Sequence, residues 1–181
     1  RGMKRFPYEG GHRVPGIVKF PGIIPEGSES DVLFNGTDIL PTLCNLVGVT
    51  VPENRNIDGS NAFSAFLNEK VERESSAIWF YPNHEDTYFR MPQMSMRKDN
   101  YTLIGWLPSK ADSVNLRTWM ATNDPQKFEL YNLSLDPSQV VDISDENTEI
   151  VSSMKKEMTI LWREMRDEGL SGINDIEKSV K

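Results

Sequence analysis

The chain has 181 residues, 38% apolar and 26% charged, which is enough for one globular domain with its own core. Its net charge of -7, from 27 acidic and 20 basic residues, argues against the broad basic surface that nonspecific nucleic-acid binding requires. No apolar run approaches the roughly 18 residues that predict a membrane-spanning helix. Neither nucleic acid nor a membrane is therefore an expected partner.

The first predicted element is a strand at residues 14–20. Four of these residues are apolar, and Pro21-Gly22 supplies a turn signal after them. Because the apolar pattern is nearly continuous, we expect an inner strand covered on both faces.

A helix is predicted at residues 37–47. Thr37 or Asp38 is the expected N-cap, and Gly48 is the expected C-terminal stop. The single cysteine, Cys44, lies within this apolar stretch and cannot form an intrachain disulfide. We interpret it as a small buried side chain rather than a catalytic thiol.

The second half of the chain predicts short strands and a long helix, an α+β pattern. The strands are expected at residues 77–81, 94–97, 101–106 and 128–131. Lys98-Asp99-Asn100 suits a hairpin turn, whereas residues 107–127 have no clear period and are predicted to be a loop.

The clearest element is a helix at residues 147–168. Its apolar residues step by three or four and so form one face, expected to pack on the sheet. They are Ile150, Met154, Met158, Leu161 and Met165. Gly169 is the expected end of the helix, and the polar tail at 171–181 is expected to be frayed.

Three ordered segments resemble the formylglycine-dependent sulfatases, the arylsulfatase family of the alkaline-phosphatase-like superfamily. Residues 2–15 contain Gly-Met-Lys and then Glu-Gly-Gly-His-Arg-Val-Pro, similar to a Gly-x-Lys followed by Glu-Gly-Gly-x-Arg-x-Pro. Residues 38–42 resemble the Asp-x-x-Pro-Thr helix of the family, and Gly48 and Asp58-Gly59 follow it. Residues 129–137 are similar to the family's Glu-Leu-Tyr-Asp-Leu-x-x-Asp-Pro signature.

The resemblance implies a fold in two parts. Residues 1–70 would be the terminal segment of the large α/β sulfatase domain. Residues 71–170 would be a C-terminal subdomain, in which an antiparallel sheet of about four strands packs against the long helix. Residues 171–181 would be the tail.

The chain departs from the family in what it lacks. The family's Cys-x-Pro-Ser-Arg motif, whose cysteine becomes formylglycine, is absent, and Cys44 is followed by Asn-Leu-Val. The family's calcium ligands would lie before Arg1. The resemblance thus implies a truncated polypeptide or one chain of a cleaved enzyme, with calcium in the intact enzyme and none bound by this chain. The missing N-terminal domain or self-association would cover the apolar residues at 14–20, and a periplasmic or secreted location is expected.

The resemblance also implies the site residues. Lys4 matches the lysine that binds the substrate sulfate, although without the resemblance it reads as a solvated loop lysine. His84 and Arg97 are expected at the rim of the substrate pocket, His84 alternatively as a plain loop residue. Trp106 and Trp119 could line the same rim, and core packing explains them at least as well.

The Glu-Gly-Gly-x-Arg block is expected to be a structural loop rather than a catalytic one. Gly10 and Gly11 allow close backbone approach, and Glu9 could accept hydrogen bonds from Arg13 or from backbone amides and so fix the loop that carries Lys4. His12 occupies the variable position, where a surface or packing role is expected.

Three functions remain open at this point. The first is a sulfatase fragment that supplies a sulfate-binding lysine to a sulfated small molecule or sugar and is inactive alone. The second is a hydrolase of phosphate or phosphonate esters from the same superfamily. The third is a non-enzymatic interaction module that retains only the C-terminal fold.

Overall fold

A computed structural model describes residues 1–4, 6–81 and 93–179, without the side chains at 93 and 172–179. The strands within these ranges are β1 Ala77–Tyr81, β2 Gln93–Lys98, β3 Tyr101–Trp106 and β4 Lys127–Asn132. The helices there are α1 Glu9–His12, α2 Ile39–Leu46, α3 Leu116–Thr122 and α4 Thr148–Ser179. Single 3-10 turns lie at Gly36–Asp38 and Phe63–Leu67.

The chain forms two compact units. The sheet unit joins Arg1–Arg13 to Ala77–Lys181, and the middle unit is Val14–Ser76. Residues 1–13 therefore pack with the sheet in this chain. The predicted assignment of residues 1–70 to the end of a large domain, and of 71–170 to a C-terminal subdomain, stays a prediction.

The sheet is a four-stranded antiparallel meander in the order β1-β2-β3-β4. Lys98 pairs with Tyr101, which leaves a two-residue turn between β2 and β3 in which Asp99 has φ of 50°. The predicted hairpin at Lys98-Asp99-Asn100 is confirmed. Asp tolerates this left-handed conformation better than most residues, which suits it to such a turn.

One face of the sheet carries the apolar core. Because side chains alternate between the two faces along each strand, one set of them faces α4. Four side chains of this set, on β2, β3 and β4, are fully buried in the core. They are Met94, Met96, Leu103 and Leu130. Gly105 lies on the same face, where an added Cβ would sit 2.5 Å from the Met158 sulfur, so the glycine admits the helix.

The long helix α4 packs against the sheet through the predicted stripe of apolar residues. Met154 and Met158 are buried, whereas Ile150, Leu161 and Met165 are partly buried against the same core. Trp162 joins them, and its indole nitrogen donates to the Asn123 carbonyl at 2.9 Å.

Two expectations for the second half are wrong. The long helix does not end at Gly169 but continues to Ser179, because glycine costs a helix only about 1 kcal/mol where no left-handed cap follows. The predicted loop at 107–127 contains α3, which begins after Asn115 caps the amide of Arg117 and which buries Trp119 in the core.

In the middle unit, Asp38, one of the two predicted candidates, is the N-cap residue of α2, but its side chain makes no capping hydrogen bond to that helix. Asn35 caps the 3-10 turn that precedes α2, and Asp38 completes a capping box there by accepting from the Asn35 amide at 2.7 Å. The box closes the 3-10 turn that leads into α2. Cys44 is half-buried on that helix.

Residues 14–20 form no strand, which corrects the prediction of an inner one. A strand needs a neighbour to take its backbone hydrogen bonds, and none of the described strands pairs with this segment. Its apolar side chains are exposed in this chain, Val14 by 78% and Ile17 by 96%. The apolar Leu40 and Leu43 of α2 are also about half-exposed.

None of the described helices combines the length and apolar composition needed to cross a bilayer.

Candidate functional site

The second face of the sheet is polar and aromatic, and residues 1–13 lie against it. Tyr8 and Tyr131 both donate their hydroxyls to one oxygen of Glu129, at 3.0 and 2.9 Å. The Arg1 guanidinium lies 4.3 Å from the centre of the Tyr8 ring. Burial, with the Glu129 charge, raises the pKa of Tyr8 to about 12, and burial, with the hydrogen bond to Glu129, raises the pKa of Tyr131, so both tyrosines stay protonated donors. These contacts attach the segment to β4.

The Glu9 carboxylate is the centre of a charged cluster between α1 and the sheet. Its side chain is 9% exposed and lies within 3.4–3.7 Å of His12, Arg13 and Arg97. Burial opposes the charge on Glu9, but the hydrogen bond from His12 and the charge of Arg97 outweigh it and lower the pKa of the carboxyl. The Glu9 amide also donates to Gln139 Oε1 at 2.7 Å. Glu9 is therefore held as a carboxylate by three cationic or imidazole groups.

His12 rests on β1. Its ring stacks on Trp79 at 4.3 Å between centres, and its Nδ1 lies 2.9 Å from the Tyr81 hydroxyl. A neutral imidazole with its proton on Nε2 satisfies both neighbours, donating toward Glu9 and accepting from Tyr81. Burial, and secondarily the Glu9 charge, raises the pKa of Tyr81, which keeps that donor protonated. Of the two roles expected for His12, packing is the observed one.

Gly10 and Gly11 let the N-terminal loop close over α1. The Gly10 amide donates to the Arg1 carbonyl at 3.0 Å. A Cβ on Gly10 would overlap the carbonyl oxygens of Gly2 and Arg1, and one on Gly11 would overlap that of Phe6. The expected close backbone approach at this glycine pair is confirmed.

Lys4 lies in the loop that these contacts close. A turn joins the Phe6 amide to the Met3 carbonyl at 2.9 Å, and the Lys4 side chain between them is exposed. The loop is therefore anchored at both ends while its lysine is presented to solvent.

The other predicted site residues have different surroundings. Arg97 is 18% exposed in its side chain, and its Nε donates to the Asp99 carbonyl at 2.8 Å. Trp106 is partly buried beside the Lys127 ammonium, whereas Trp119 belongs to the core, so of the two alternatives open for Trp119 core packing is the observed one. His84 lies outside the described residues. The roles of Lys4, His84 and Arg97 toward substrate stay predictions.

Sequence reasoning missed three residues that contact Glu9 or His12, namely Trp79, Tyr81 and Gln139. Trp79 and Tyr81 alternate along β1 and so share its polar face, a period-two signal that the sequence carries. Gln139 follows a turn and has φ of 54°, and nothing in its sequence context indicates a contact with Glu9 across 130 residues.

Substituting Gly11 with alanine tests the close approach between the Gly11 backbone and the Phe6 carbonyl. The new methyl group would force the loop away from the Phe6 carbonyl, and we expect a loss of about 1–3 kcal/mol in the free energy of unfolding. Urea denaturation measures it. The matched control is Gly16→Ala, because no heavy atom lies within 4 Å of that Cβ. Equal stability of the two variants would contradict the tight packing of the loop.

The family resemblance implies calcium, and the described residues do not form a site for it. Across residues 1–4, 6–81 and 93–179, no three His, Cys, Asp or Glu side chains converge in a way that could hold a metal. The Glu9 carboxylate is instead surrounded by basic groups, which disfavours a cation there. No step of the chemistry is therefore assigned to a metal bound by these residues.

Comparison with known proteins places this chain among the C-terminal regions of sulfatases. Residues 3–164 match the family described as N-sulphoglucosamine sulphohydrolase, C-terminal. The chain belongs to this family.

Individual relatives agree with that assignment. A sulfatase of Formosa agariphila is 30% identical over 145 residues, 77% of this chain and 24% of its own length. An endo-4-O-sulfatase of Bacteroides thetaiotaomicron is 27% identical over 175 residues, 91% of this chain and 32% of its own length. Steryl-sulfatase of Rattus norvegicus is 36% identical over 83 residues, 46% of this chain and 14% of its own length. The chain thus spans about a third or less of each of these relatives.

Proposed function

We propose that this chain is the C-terminal part of a sulfuric ester hydrolase and that Lys4 binds the sulfate group of the substrate. The observation that carries the proposal is the family match over residues 3–164, which includes the Lys4 loop. The loop geometry supports it, because an exposed lysine is held on a backbone anchored at both ends.

The chemistry of sulfate esters suits such a lysine. The ester carries a negative charge on its terminal oxygens, and hydrolysis is helped by cationic groups fixed around those oxygens before reaction. The lysine ammonium is a compact charge with three donors, able to contact a sulfate oxygen without a fixed planar geometry. In this proposal Lys4 neutralises and orients the sulfate.

The nucleophile is proposed to come from polypeptide other than residues 1–181. These residues contain no Cys-x-Pro-Ser-Arg sequence, from which formylglycine would be made. Calcium is proposed to be bound there too, because the described residues offer no cluster for it.

A sulfated sugar is the proposed substrate class. The family description names an N-sulphoglucosamine sulphohydrolase, and a relative covering 91% of this chain is named an endo-4-O-sulfatase. The partly buried Trp106 offers an aromatic surface on the same face of the sheet as the Lys4 loop, of the kind on which sugar rings stack.

The full-length protein tests this function. With calcium present, it should release sulfate from a chromogenic aryl sulfate and from a sulfated glucosamine, faster from the sugar. Turnover of the aryl sulfate alone would remove the sugar proposal. Absence of sulfate release from both, in a preparation whose formylglycine is verified by mass spectrometry, would overturn the function.

A polypeptide of residues 1–181 alone should be inactive. It contains no formylglycine precursor motif, so calcium addition should not produce turnover of an aryl sulfate. The assay compares it with the full-length protein at equal concentration. Calcium-dependent turnover by the purified 181-residue chain would contradict the proposed division of the active site.

A further inference from the structure

We propose that Arg97 is a positioning residue, which acts through Glu9 to hold the loop that carries Lys4. The inference rests on the proposed function of Lys4 and assigns Arg97 a role that differs from the substrate contact predicted from the sequence. In this role, contacts within the sheet unit lead from Arg97 on β2 through Glu9 on α1 to the loop of Lys4.

The first step is that Arg97 is itself fixed. Its Nε donates to the carbonyl of Asp99 at 2.8 Å, in the tight turn between β2 and β3. One nitrogen of the same guanidinium lies 3.7 Å from a Glu9 oxygen. The rigid planar fork of arginine therefore joins a hairpin turn to the Glu9 carboxylate.

The second step is that Glu9 fixes α1. Its carboxylate is buried among basic groups, and its amide donates to Gln139 Oε1. Both ends of this residue are thereby attached to the sheet unit, and the stacking of His12 on Trp79 secures the last residue of the one-turn helix. Removing the Arg97 charge leaves a buried carboxylate with one cation fewer, which favours its displacement toward water.

The third step is that α1 sets the position of Lys4. Moving Gly10 would break the hydrogen bond from its amide to the Arg1 carbonyl, and Gly11 packs directly on the Phe6 carbonyl. Lys4 lies between these two anchors. A shift of α1 is transmitted to the lysine, and a misplacement of about 1 Å can cost on the order of 10²-fold in rate.

Direct contact of Arg97 with substrate is less compatible with these observations. Its guanidinium is already engaged by the Glu9 carboxylate and the Asp99 carbonyl, and its side chain is largely buried. The paired carboxylate also offsets the positive charge that a sulfate group would experience.

A double-mutant cycle in the full-length enzyme tests the proposal. Arg97→Met should lower kcat/KM for a sulfate ester by about tenfold, a modest part of the loss that a misplaced charge can cause. In the Lys4→Ala background the same substitution should change kcat/KM by less than about twofold, because residues that act through one another are not additive. Arg97→Lys, which keeps the charge, should recover part of the loss, and Glu9→Gln should reproduce the Arg97→Met result without removing the arginine.

The control is Arg163→Met. It breaks an arginine–carboxylate pair with Asp124, in which the two side chains are 55% and 35% exposed, and should leave kcat/KM unchanged in both backgrounds. Equal losses from Arg97→Met with and without Lys4 would overturn the positioning role and indicate an independent contact or a global effect. Full activity of Arg97→Met and Glu9→Gln would overturn it as well. Failure of Lys4→Ala alone to reduce activity would instead remove the proposed function of Lys4.

Discussion

Lys4→Ala in the full-length enzyme is expected to lower kcat/KM for sulfate esters by about 10²–10³, the usual effect of removing one preorganised group that stabilises charge in the transition state. The fold should be retained, because the Lys4 side chain is exposed and the loop is closed by backbone contacts of other residues. Steady-state kinetics measure the first effect and thermal unfolding the second.

Lys156→Ala is the matched control for that variant. Lys156 is also exposed, but it lies on α4, and alanine is a good helix former there. Its kcat/KM should equal that of the parent. A Lys4→Ala enzyme within about threefold of the parent, far below the loss that removing a preorganised charge causes, would mean that Lys4 is only a solvated loop residue.

Asp38→Ala is expected to destabilise the protein by about 3–5 kcal/mol, the cost of breaking a buried ion pair from one side. The Asp38 side chain is fully buried and is paired with both terminal nitrogens of Arg73, at 2.8 and 2.7 Å. It also accepts from the amides of Asn35 and Ser60. The substitution leaves the Arg73 charge largely buried and the capping box broken.

Denaturant unfolding of the full-length protein measures this loss, with Asp124→Ala as the control. Asp124 also pairs with arginines, Arg163 and Arg166, but its own side chain is 35% exposed rather than fully buried, so a smaller change is expected. Equal destabilisation by the two substitutions would contradict the structural importance given to Asp38. So would a stability of Asp38→Ala close to that of the parent.

The sheet and its helix were predictable because their sequence signals are local. Ala77–Tyr81 and Tyr101–Trp106 have the predicted bounds, and the stripe from Ile150 to Met165 faces the core. Each follows from side-chain periods within a short window. The same reasoning erred at Gly169, where a glycine is compatible with a continuing helix, and at 14–20, where an apolar run pairs with none of the described strands.

The second face of the sheet could not be predicted in the same way. Tyr8 meets Glu129 across 121 positions of sequence, and His12 meets Tyr81 across 69. No local pattern specifies which segment covers a polar sheet face, so the sequence indicated the Glu9 block and its local partner Arg13 but not its partners on the sheet. The family resemblance indicated Lys4, and the structure adds the contacts that hold its loop.

The most direct test of the account is the selectivity of the full-length protein between an aryl sulfate and the matching aryl phosphate. We expect a higher kcat/KM for the sulfate, with most of that activity lost in the Lys4→Ala variant. A preference for the phosphate, or sulfate hydrolysis that is unaffected by the loss of Lys4, would contradict it.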